Sequence, residues 1–305
     1  MKSVFKNVNN IETKIITWGE PFDSSNQEDV IICITGNPGV PDFYTDFASE
    51  LYKQLLMPIC VIGHAGHYDL FKGSEKIPHE EFYNLKVQVE HKLDLIQKYI
   101  NPKRNIHLIG HSIGAWMIVE LLQNNGHLME RVSSVNLLFP TLQKIGDTPN
   151  GRNIKNVFRK RHALILSLIK LLDLIPEFIL YLFVYIYLIV KCLPLRYNNS
   201  ILRLIKPLVI KNILLLAYDE MDNVKMLNNN GLDKIKHLTN VIYAANDGWA
   251  PLELMDDLKK FEPCLKMILT DKIEHAFVLK SSVPVANMVS DFIKFKINSC
   301  FHAGQ

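Results

Sequence analysis

Several features that mark special structural classes are missing from this sequence. There are only five cysteines among 305 residues, and no two of them form a C-x-x-C pair. Residues 1–10 contain no long apolar run, and the chain has no internal repeat or low-complexity tract. We therefore predict buried thiols in a reducing compartment rather than a disulfide framework, and we predict no signal peptide.

Net charge is also small, whereas apolar residues are abundant. The formal net charge is only +3, which gives no reason to expect a nucleic-acid partner. Apolar residues make up 48% of the chain, and the mean hydropathy is slightly positive, which is high for a soluble enzyme. Much of this excess lies in one block, 164–193, and the length suits one α/β domain with an insertion.

Apolar runs alternate with helical patterns along most of the chain. Segments 3–8 and 12–18 predict a hairpin with Asn9-Asn10 at its turn. Continuous apolar runs predict strands that are buried on both faces, and periodic segments predict helices between them. The predicted strands are 30–35, 58–63, 105–111, 132–138, 240–245 and 264–270. The predicted helices are 42–56, 80–100, 112–124, 211–226, 251–261 and 281–296.

This alternation predicts an α/β fold with a doubly wound, mostly parallel sheet. Ligands of such sheets bind at the carboxyl ends of the strands. The alternation stops between 151 and 207 and then resumes. We therefore divide the chain into a first core part, 1–150, an apolar helical cap inserted at 151–210, and a second core part, 211–305.

The residues 106–116 contain the pattern that the rest of the chain is organised around. Gly110, Ser112 and Gly114 form G-x-S-x-G between a predicted strand and a predicted helix. This context is typical of a nucleophile elbow, in which a strained serine sits on a sharp turn and a side chain at either glycine would collide with its neighbours. The alternative is a buried Gly-Ser turn without chemistry.

A serine nucleophile needs a base, and the base needs an acid that orients it. In this kind of fold the chain order is serine, acid, histidine. Asp247 and His275 each follow a predicted strand in that order, so we predict Ser112, Asp247 and His275 as catalytic residues. Asp247 could instead only shape a turn, and His275 could be an ordinary surface histidine. The rival acids are Asp219 and Glu220, within a predicted helix.

The backbone around Ser112 should bind the negative oxygen of the reaction intermediate. We predict the N–H of Ile113 as one donor and that of Asn37 as the other, with Gly39 as second choice, because Pro38 has no N–H. Five residues are predicted to line the site: Gly39, His64, His67, His111 and Trp249. His64 and His67 form an H-x-x-H pair, but no further ligand follows at useful spacing, so we predict no metal and no cofactor.

The apolar block within the insertion has the properties of a lipid anchor. Its longest uncharged run, 178–190, would form a helix of about 20 Å, short of the roughly 30 Å hydrocarbon core of a bilayer. Pro176 divides the block into two predicted helices, and basic residues flank it on both sides. The predicted anchor residues are Phe178, Leu182, Phe183, Tyr185 and Tyr187. The alternative is a hydrophobic lid packed over the active site.

With these residues in view, the chain resembles the lipid-droplet-associated hydrolase family of α/β-hydrolases. The matching stretches are 34–44 (ITGNPGVPDFY), 64–67 (HAGH), 110–115 (GHSIGA), 246–251 (NDGWAP) and 275–278 (HAFV). The resemblance implies the α/β-hydrolase fold with Ser112, Asp247 and His275 as its triad. It also implies a protein on lipid droplets and the cytosolic face of the endoplasmic reticulum, with esterase activity toward sterol esters or other neutral lipids.

Two functions follow from these observations. The first is a serine hydrolase that cleaves a neutral lipid ester through an acyl-enzyme, with the droplet monolayer and the endoplasmic reticulum membrane as its partners. The second is a protein that organises the surface of droplets or the endoplasmic reticulum and has weak or vestigial esterase activity. A soluble esterase with a simple lid fits less well, because the apolar block has basic flanks.

Overall fold

An eight-stranded β-sheet forms the centre of the part of the chain that the structure describes. The structure is a computed structural model that describes residues 1–68, 83–172 and 174–303, with side chains as far as Ser299. The strands are β1 (Lys2–Val8), β2 (Ile11–Trp18), β3 (Val30–Ile34), β4 (Ile59–Ile62), β5 (Ile106–His111), β6 (Val132–Leu138), β7 (Thr239–Ala244) and β8 (Lys266–Thr270).

The order of the strands in the sheet is β1-β2-β4-β3-β5-β6-β7-β8. Strands β3 to β8 run parallel, while β2 is antiparallel to both β1 and β4. The first two strands form the predicted hairpin, and Asn9 and Asn10 at its turn have φ of 48° and 62°. Asparagine tolerates this left-handed region better than most residues, which explains why the turn falls there. The predicted mostly parallel sheet is confirmed.

Helices cover both faces of the sheet. They are α1 (Thr45–Leu55), α2 (Leu85–Tyr99), α3 (Ile113–Asn124), α4 (Gly126–Met129), α5 (Pro149–Asn153), α6 (His162–Leu172), α7 (Glu177–Val190), α8 (Asn198–Leu204), α9 (Pro207–Asn223), α10 (Asn229–Ile235), α11 (Leu252–Asp256) and α12 (Ser282–Ala303). Alternate residues of β3 belong to different apolar clusters: Ile32 and Ile34 pack on one face, Ile31 and Cys33 on the other. This is the double burial expected of a doubly wound sheet.

The predicted helices needed some correction at their ends. Helix α2 begins at Leu85 because the Asn84 side chain caps it by accepting the Val87 N–H, and the predicted residues 80–82 lie outside the described part of the chain. The helix predicted at 251–261 is shorter, since α11 ends at Asp256 and only a 3-10 turn follows at Lys259–Phe261.

The cap lies within the segment between β6 and β7. It contains α5 to α8, with π-helical and 3-10 turns over Ile154–Phe158 and Arg159–Arg161. Pro176 immediately precedes α7 and separates it from α6, as predicted. Helix α9 then returns to the core, where it buries Leu216 and Met221. The division of the chain into 1–150, 151–210 and 211–305 remains a prediction, and α5 and α9 each run across one of its boundaries.

Much of the cap surface is apolar and exposed. On α7 only Leu188 is buried, and Phe178 and Val190 are 74% and 71% exposed. Among the helices that the structure describes, none is long and apolar enough to cross a membrane. The prediction of buried thiols holds for Cys33 and Cys60 but is wrong for Cys192 and Cys264, which are exposed. The side chain of Cys300 lies outside the described part of the chain.

Candidate active site

Ser112 occupies the sharp turn between β5 and α3. Its backbone has φ 54° and ψ −121°, a conformation that non-glycine residues rarely adopt. Its two neighbouring glycines leave no room for a side chain. A Cβ on Gly110 would lie 2.6 Å from the Gly114 carbonyl oxygen, and a Cβ on Gly114 would lie 2.6 Å from that of Ile34. The strand-turn-helix context predicted for this pattern is therefore present.

The structure brings together the three side chains named from chain order. The Ser112 hydroxyl donates to His275 Nε2 at 2.9 Å, and His275 Nδ1–H donates to Asp247 Oδ2 at 2.7 Å. The direction of the second hydrogen bond follows because an ionised carboxylate can only accept. His275 is thus held in the tautomer whose Nε2 can take the serine proton.

Asp247 is fixed and ionised by its surroundings. Its other oxygen, Oδ1, accepts the backbone N–H groups of Trp249 at 2.8 Å and Ala250 at 3.1 Å. Burial on its own would raise the pKa of Asp247. The hydrogen bond and charge of His275 and the two backbone N–H groups outweigh burial, so the pKa lies below its ordinary value. The carboxylate therefore stays charged beside His275 at neutral pH.

Neither rival acid contacts His275 in the described part of the chain. Asp219 Oδ2 accepts the Leu85 N–H at 2.8 Å, at the start of α2. Glu220 Oε1 accepts the side-chain amide of Asn37 at 2.9 Å. Of the three acids, Asp247 is the one that hydrogen-bonds to His275.

Two backbone N–H groups beside Ser112 are available to bind an anionic oxygen. Among the described residues, those of Ile113 and Asn37 donate no hydrogen bond. Ile113 is the first residue of α3, so its N–H also carries the positive end of the helix dipole. The N–H of Gly39, the second choice, instead donates to His67 Nδ1 at 2.9 Å. The arrangement favours Ile113 and Asn37.

Sequence reasoning missed Tyr44, which ties the parts of the site together. The Gly36 N–H donates to the Tyr44 hydroxyl at 2.8 Å, which donates in turn to His111 Nδ1 at 2.6 Å. His111 Nε2–H then donates to the His275 carbonyl at 2.9 Å. Burial, helped by His275, lowers the pKa of His111 to about 3, so the ring is neutral and Nδ1 can accept. Tyr44 ends the stretch 34–44, the most specific part of the resemblance.

Ser112 and His275 lie on the wall of a cavity of about 550 Å³. The volume is in the range of ligand pockets for small molecules. Most of the wall is apolar. The cap, including α8, supplies a large share of it: Ile154, Phe158, Tyr187, Leu193, Ile201 and Leu204. His111 and Trp249, which the sequence places at the site, belong to this wall.

Gly39, His64 and His67 are not part of that wall, which corrects their prediction as lining residues. They are buried against one another: a Cβ on Gly39 would lie 2.5 Å from the His64 ring. Burial lowers the pKa of His67 to about 3, so its ring is neutral and accepts the Gly39 N–H. Their packing supports the loop that carries Asn37. Among the described residues, no three His, Cys, Asp or Glu side chains are grouped to hold a metal ion.

Comparison with known proteins places this chain in a family. Residues 27–278 match the family model described as lipid-droplet associated hydrolase. This chain belongs to the lipid-droplet-associated hydrolase family. The Drosophila melanogaster lipid droplet-associated hydrolase is 37% identical over 303 residues, which cover 96% of this chain and 98% of that protein. The Homo sapiens protein of the same name is 30% identical over 302 residues, which cover 93% and 92%.

Solved structures agree on the fold of this member of the lipid-droplet-associated hydrolase family. A bacterial membrane phospholipase A has a TM-score of 0.67 at 17% identity and covers 97% of this chain and 87% of its own. An esterase from Exiguobacterium antarcticum has a TM-score of 0.63 at 13% identity, with 96% and 100% covered. The predicted α/β-hydrolase fold and the family resemblance are confirmed, and the family supports a hydrolase.

Proposed function

We propose that the protein is a serine ester hydrolase with Ser112 as nucleophile, His275 as base and Asp247 as the orienting acid. One observation carries the proposal. A continuous hydrogen-bond chain runs from Ser112 through His275 to Asp247, with lengths of 2.9 and 2.7 Å. Two of the three residues line an apolar cavity, which can admit an ester and limit the access of water.

In this mechanism Ser112 Oγ bonds to the carbonyl carbon of the ester while its proton passes to His275 Nε2. The carbonyl oxygen becomes negative and is stabilised by the N–H groups of Ile113 and Asn37. His275 then gives the proton to the leaving alcohol as the carbon–oxygen bond breaks, which forms the acyl-enzyme. Water, deprotonated by His275, attacks the acyl-enzyme and releases the acid and the free serine.

The proposed substrate is a neutral lipid ester, such as a sterol ester. The apolar wall of the cavity suits an acyl chain and an apolar alcohol better than a charged substrate. Relatives that match nearly the whole chain are named for lipid droplets, which store neutral esters. Substrate chemistry and family therefore point to the same class of compound.

The proposed anchor is the exposed apolar face of α6 and α7. Four of its predicted residues are more than half exposed: Phe178, Leu182, Phe183 and Tyr187. Tyr185 lies with them, partly buried and stacked on Tyr181. Such a surface is larger than a water-facing helix normally leaves uncovered. Because these helices are short and have basic flanks, we propose that they enter the droplet monolayer or the cytosolic leaflet of the endoplasmic reticulum membrane.

The proposed anchor also borders the catalytic cavity. Phe158 and Tyr187 are 40% and 51% exposed, and both line the cavity. An ester dissolved in a monolayer could therefore pass from the apolar face to Ser112 without crossing water. In this proposal the cap is both anchor and lid.

Assays of the purified wild-type protein and the Ser112→Ala variant against a panel of neutral lipid esters test this function. We expect a fluorophosphonate probe to label Ser112 alone. We expect hydrolysis to fall by several orders of magnitude in Ser112→Ala, because the triad acts as a unit. Labelling that persists in the variant would refute the nucleophile. A wild-type protein that coats droplets but cleaves no ester would instead be a surface-organising protein with vestigial catalysis.

A further inference from the structure

Glu220 is a buried carboxylic acid that the proposed mechanism does not use. It lies on α9, lines the catalytic cavity and is only 4% exposed. Within the described residues it has no basic partner, and its one hydrogen bond is from Asn37 to Oε1. Burial outweighs that hydrogen bond and raises the pKa of Glu220 to about 8. The group is therefore mostly protonated at neutral pH.

Glu220 and the backbone of α9 hold the Asn37 side chain. Asn37 Nδ2 donates to Glu220 Oε1 at 2.9 Å and to the Ile213 carbonyl at 3.2 Å. Because a backbone carbonyl can only accept, Ile213 determines which end of the amide is the nitrogen. Asn37 Oδ1 is buried without a hydrogen bond in the described part of the chain. The two bonds from Nδ2 are therefore the polar contacts that fix this side chain.

Asn37 also supplies the second proposed oxyanion donor, through its backbone N–H. We propose that Glu220 is a positioning residue, which in its neutral form holds Asn37 against α9 so that this N–H points at the anionic oxygen of the intermediate. The inference rests on the proposed function. Its physical basis is that such donors must be held to within a fraction of an ångström, since about 1 Å of misplacement can cost roughly 100-fold in rate.

The neutral form matters because negative charge develops close to this loop during the reaction. An ionised Glu220 would face the same cavity as the anionic oxygen, and like charges repel strongly where water is scarce. A protonated acid still offers Oε1 as an acceptor to Asn37 and adds no charge. Ionisation of Glu220 should therefore slow the reaction, although the hydrogen bond to Asn37 can persist.

The other ionisable groups around Glu220 are already engaged. Asp219, which precedes Glu220 on α9, raises the pKa of Glu220 further. Arg159 pairs with Asp222 through two hydrogen bonds of 2.8 Å. The charged or titratable side chains on α9, at the start of the cap and across the cavity are those of Asp219, Asp222, Lys155, Arg159, His111 and His275.

The test compares pH profiles of kcat for hydrolysis of p-nitrophenyl butyrate, a short ester that needs no lipid surface. Wild-type kcat should fall above about pH 8. Glu220→Gln keeps a neutral acceptor, so it should stay within about threefold of wild type at pH 7 and lose the fall at high pH. Glu220→Ala should lose roughly 10- to 100-fold in kcat, with KM changed little. Asp219→Asn should move the fall to lower pH, because it removes the charge that raises the pKa of Glu220.

A Glu220→Gln profile that coincides with wild type would overturn the proposal, as would wild-type kcat in Glu220→Ala. If Glu220→Ala fails to fold, the comparison of wild type with Glu220→Gln decides alone, since the amide preserves shape and acceptor. The Ser112→Ala variant distinguishes a failure of the positioning role from a failure of the proposed function. Hydrolysis that depends on Ser112 but not on Glu220 refutes only the positioning role, whereas hydrolysis that does not depend on Ser112 refutes both.

Discussion

Two buried carboxyl groups near Ser112 illustrate how surroundings set the charge of a residue. Asp247 accepts one hydrogen bond from His275 and two from backbone N–H groups, and its pKa is lowered. Glu220 accepts a single hydrogen bond, and its pKa is raised. One site can therefore hold an ionised and a neutral acid at the same pH. In the proposed mechanism the first would stabilise a positive imidazole, and the second would avoid repelling a negative oxygen.

Replacing Asp247 by asparagine should preserve the fold and lower kcat by roughly 10³- to 10⁴-fold. The reason is that an amide at this position favours the imidazole tautomer that cannot accept the serine proton. Asp219→Asn is the comparison: Asp219 contacts the start of α2 and not His275, so this change should lower kcat far less, through the pKa of Glu220 alone. Kinetics on a short ester and circular dichroism of both variants give the measurement. A larger loss in Asp219→Asn would show that the acid has been misassigned.

Chain order made the meeting of Ser112, Asp247 and His275 predictable, because each follows a recognisable strand. The contacts of Tyr44 and Glu220 were not predictable. Their hydrogen-bond partners, His111 and Asn37, lie 67 and 183 residues away in sequence. Contacts of this kind depend on how the loop after β3 meets β5 and α9, and no local pattern contains that information. The lining role predicted for His64 failed for the same reason.

Among the secondary-structure elements, the ends of the strands were predicted closely, whereas the short helices were not predicted. Runs of apolar, β-branched residues define β3 and β5 to within one residue at each end. Helix α10, Asn229–Ile235, was missed because seven residues are too few to show an apolar period. The two cap helices could be predicted as separate because Pro176 interrupts their pattern.

The proposed anchor gives a prediction for α7. Substitution of Leu182 or Tyr185 by aspartate should reduce binding to droplets about 60- to 300-fold, since a charge placed in hydrocarbon costs ~2.5–3.5 kcal/mol on insertion scales. Met226→Asp is the matched control, because Met226 is 84% exposed and lies outside the cap. Flotation of the purified variants with artificial droplets measures the bound fraction.

Two further outcomes would change the interpretation of the cap. Equal release by Met226→Asp would show that any added negative charge lowers binding. A folded protein that lacks 163–193 and still coats droplets would show that the block is only a lid. The targeting surface would then lie elsewhere on the molecule.

For the whole molecule, buried neutral bases make stability depend on pH. Burial lowers the pKa of His67 and His111 to about 3 and the pKa values of His64 and His91 well below 6.5. Below pH 6.5 the unfolded chain binds protons at these sites and the folded chain does not. The free energy of unfolding should therefore fall as pH drops from about 6.5, by up to about 1.4 kcal/mol per pH unit for each group. Glu220 acts with the opposite sign between pH 4.5 and about 8, but it is a single group.

Urea unfolding at pH 7.5, 6.5 and 5.5 measures this dependence. His67→Asn should reduce the slope by about one proton, since asparagine can still accept the Gly39 N–H but does not titrate. His127→Asn is the control, because His127 is fully exposed and should leave the slope unchanged. A free energy of unfolding that is constant from pH 7.5 to 5.5 would contradict the assignment of these histidines as neutral.

The shared wall between the cavity and the exposed face of α7 has a consequence for kinetics. If Tyr187 borders both the lipid and Ser112, the relevant concentration of ester is the one in the two-dimensional interface, not the one in the bulk. At a fixed mass of lipid, dividing it into smaller particles would then speed turnover, because more surface is available per enzyme. Adding ester to the interior of particles whose surface is already saturated would have no effect.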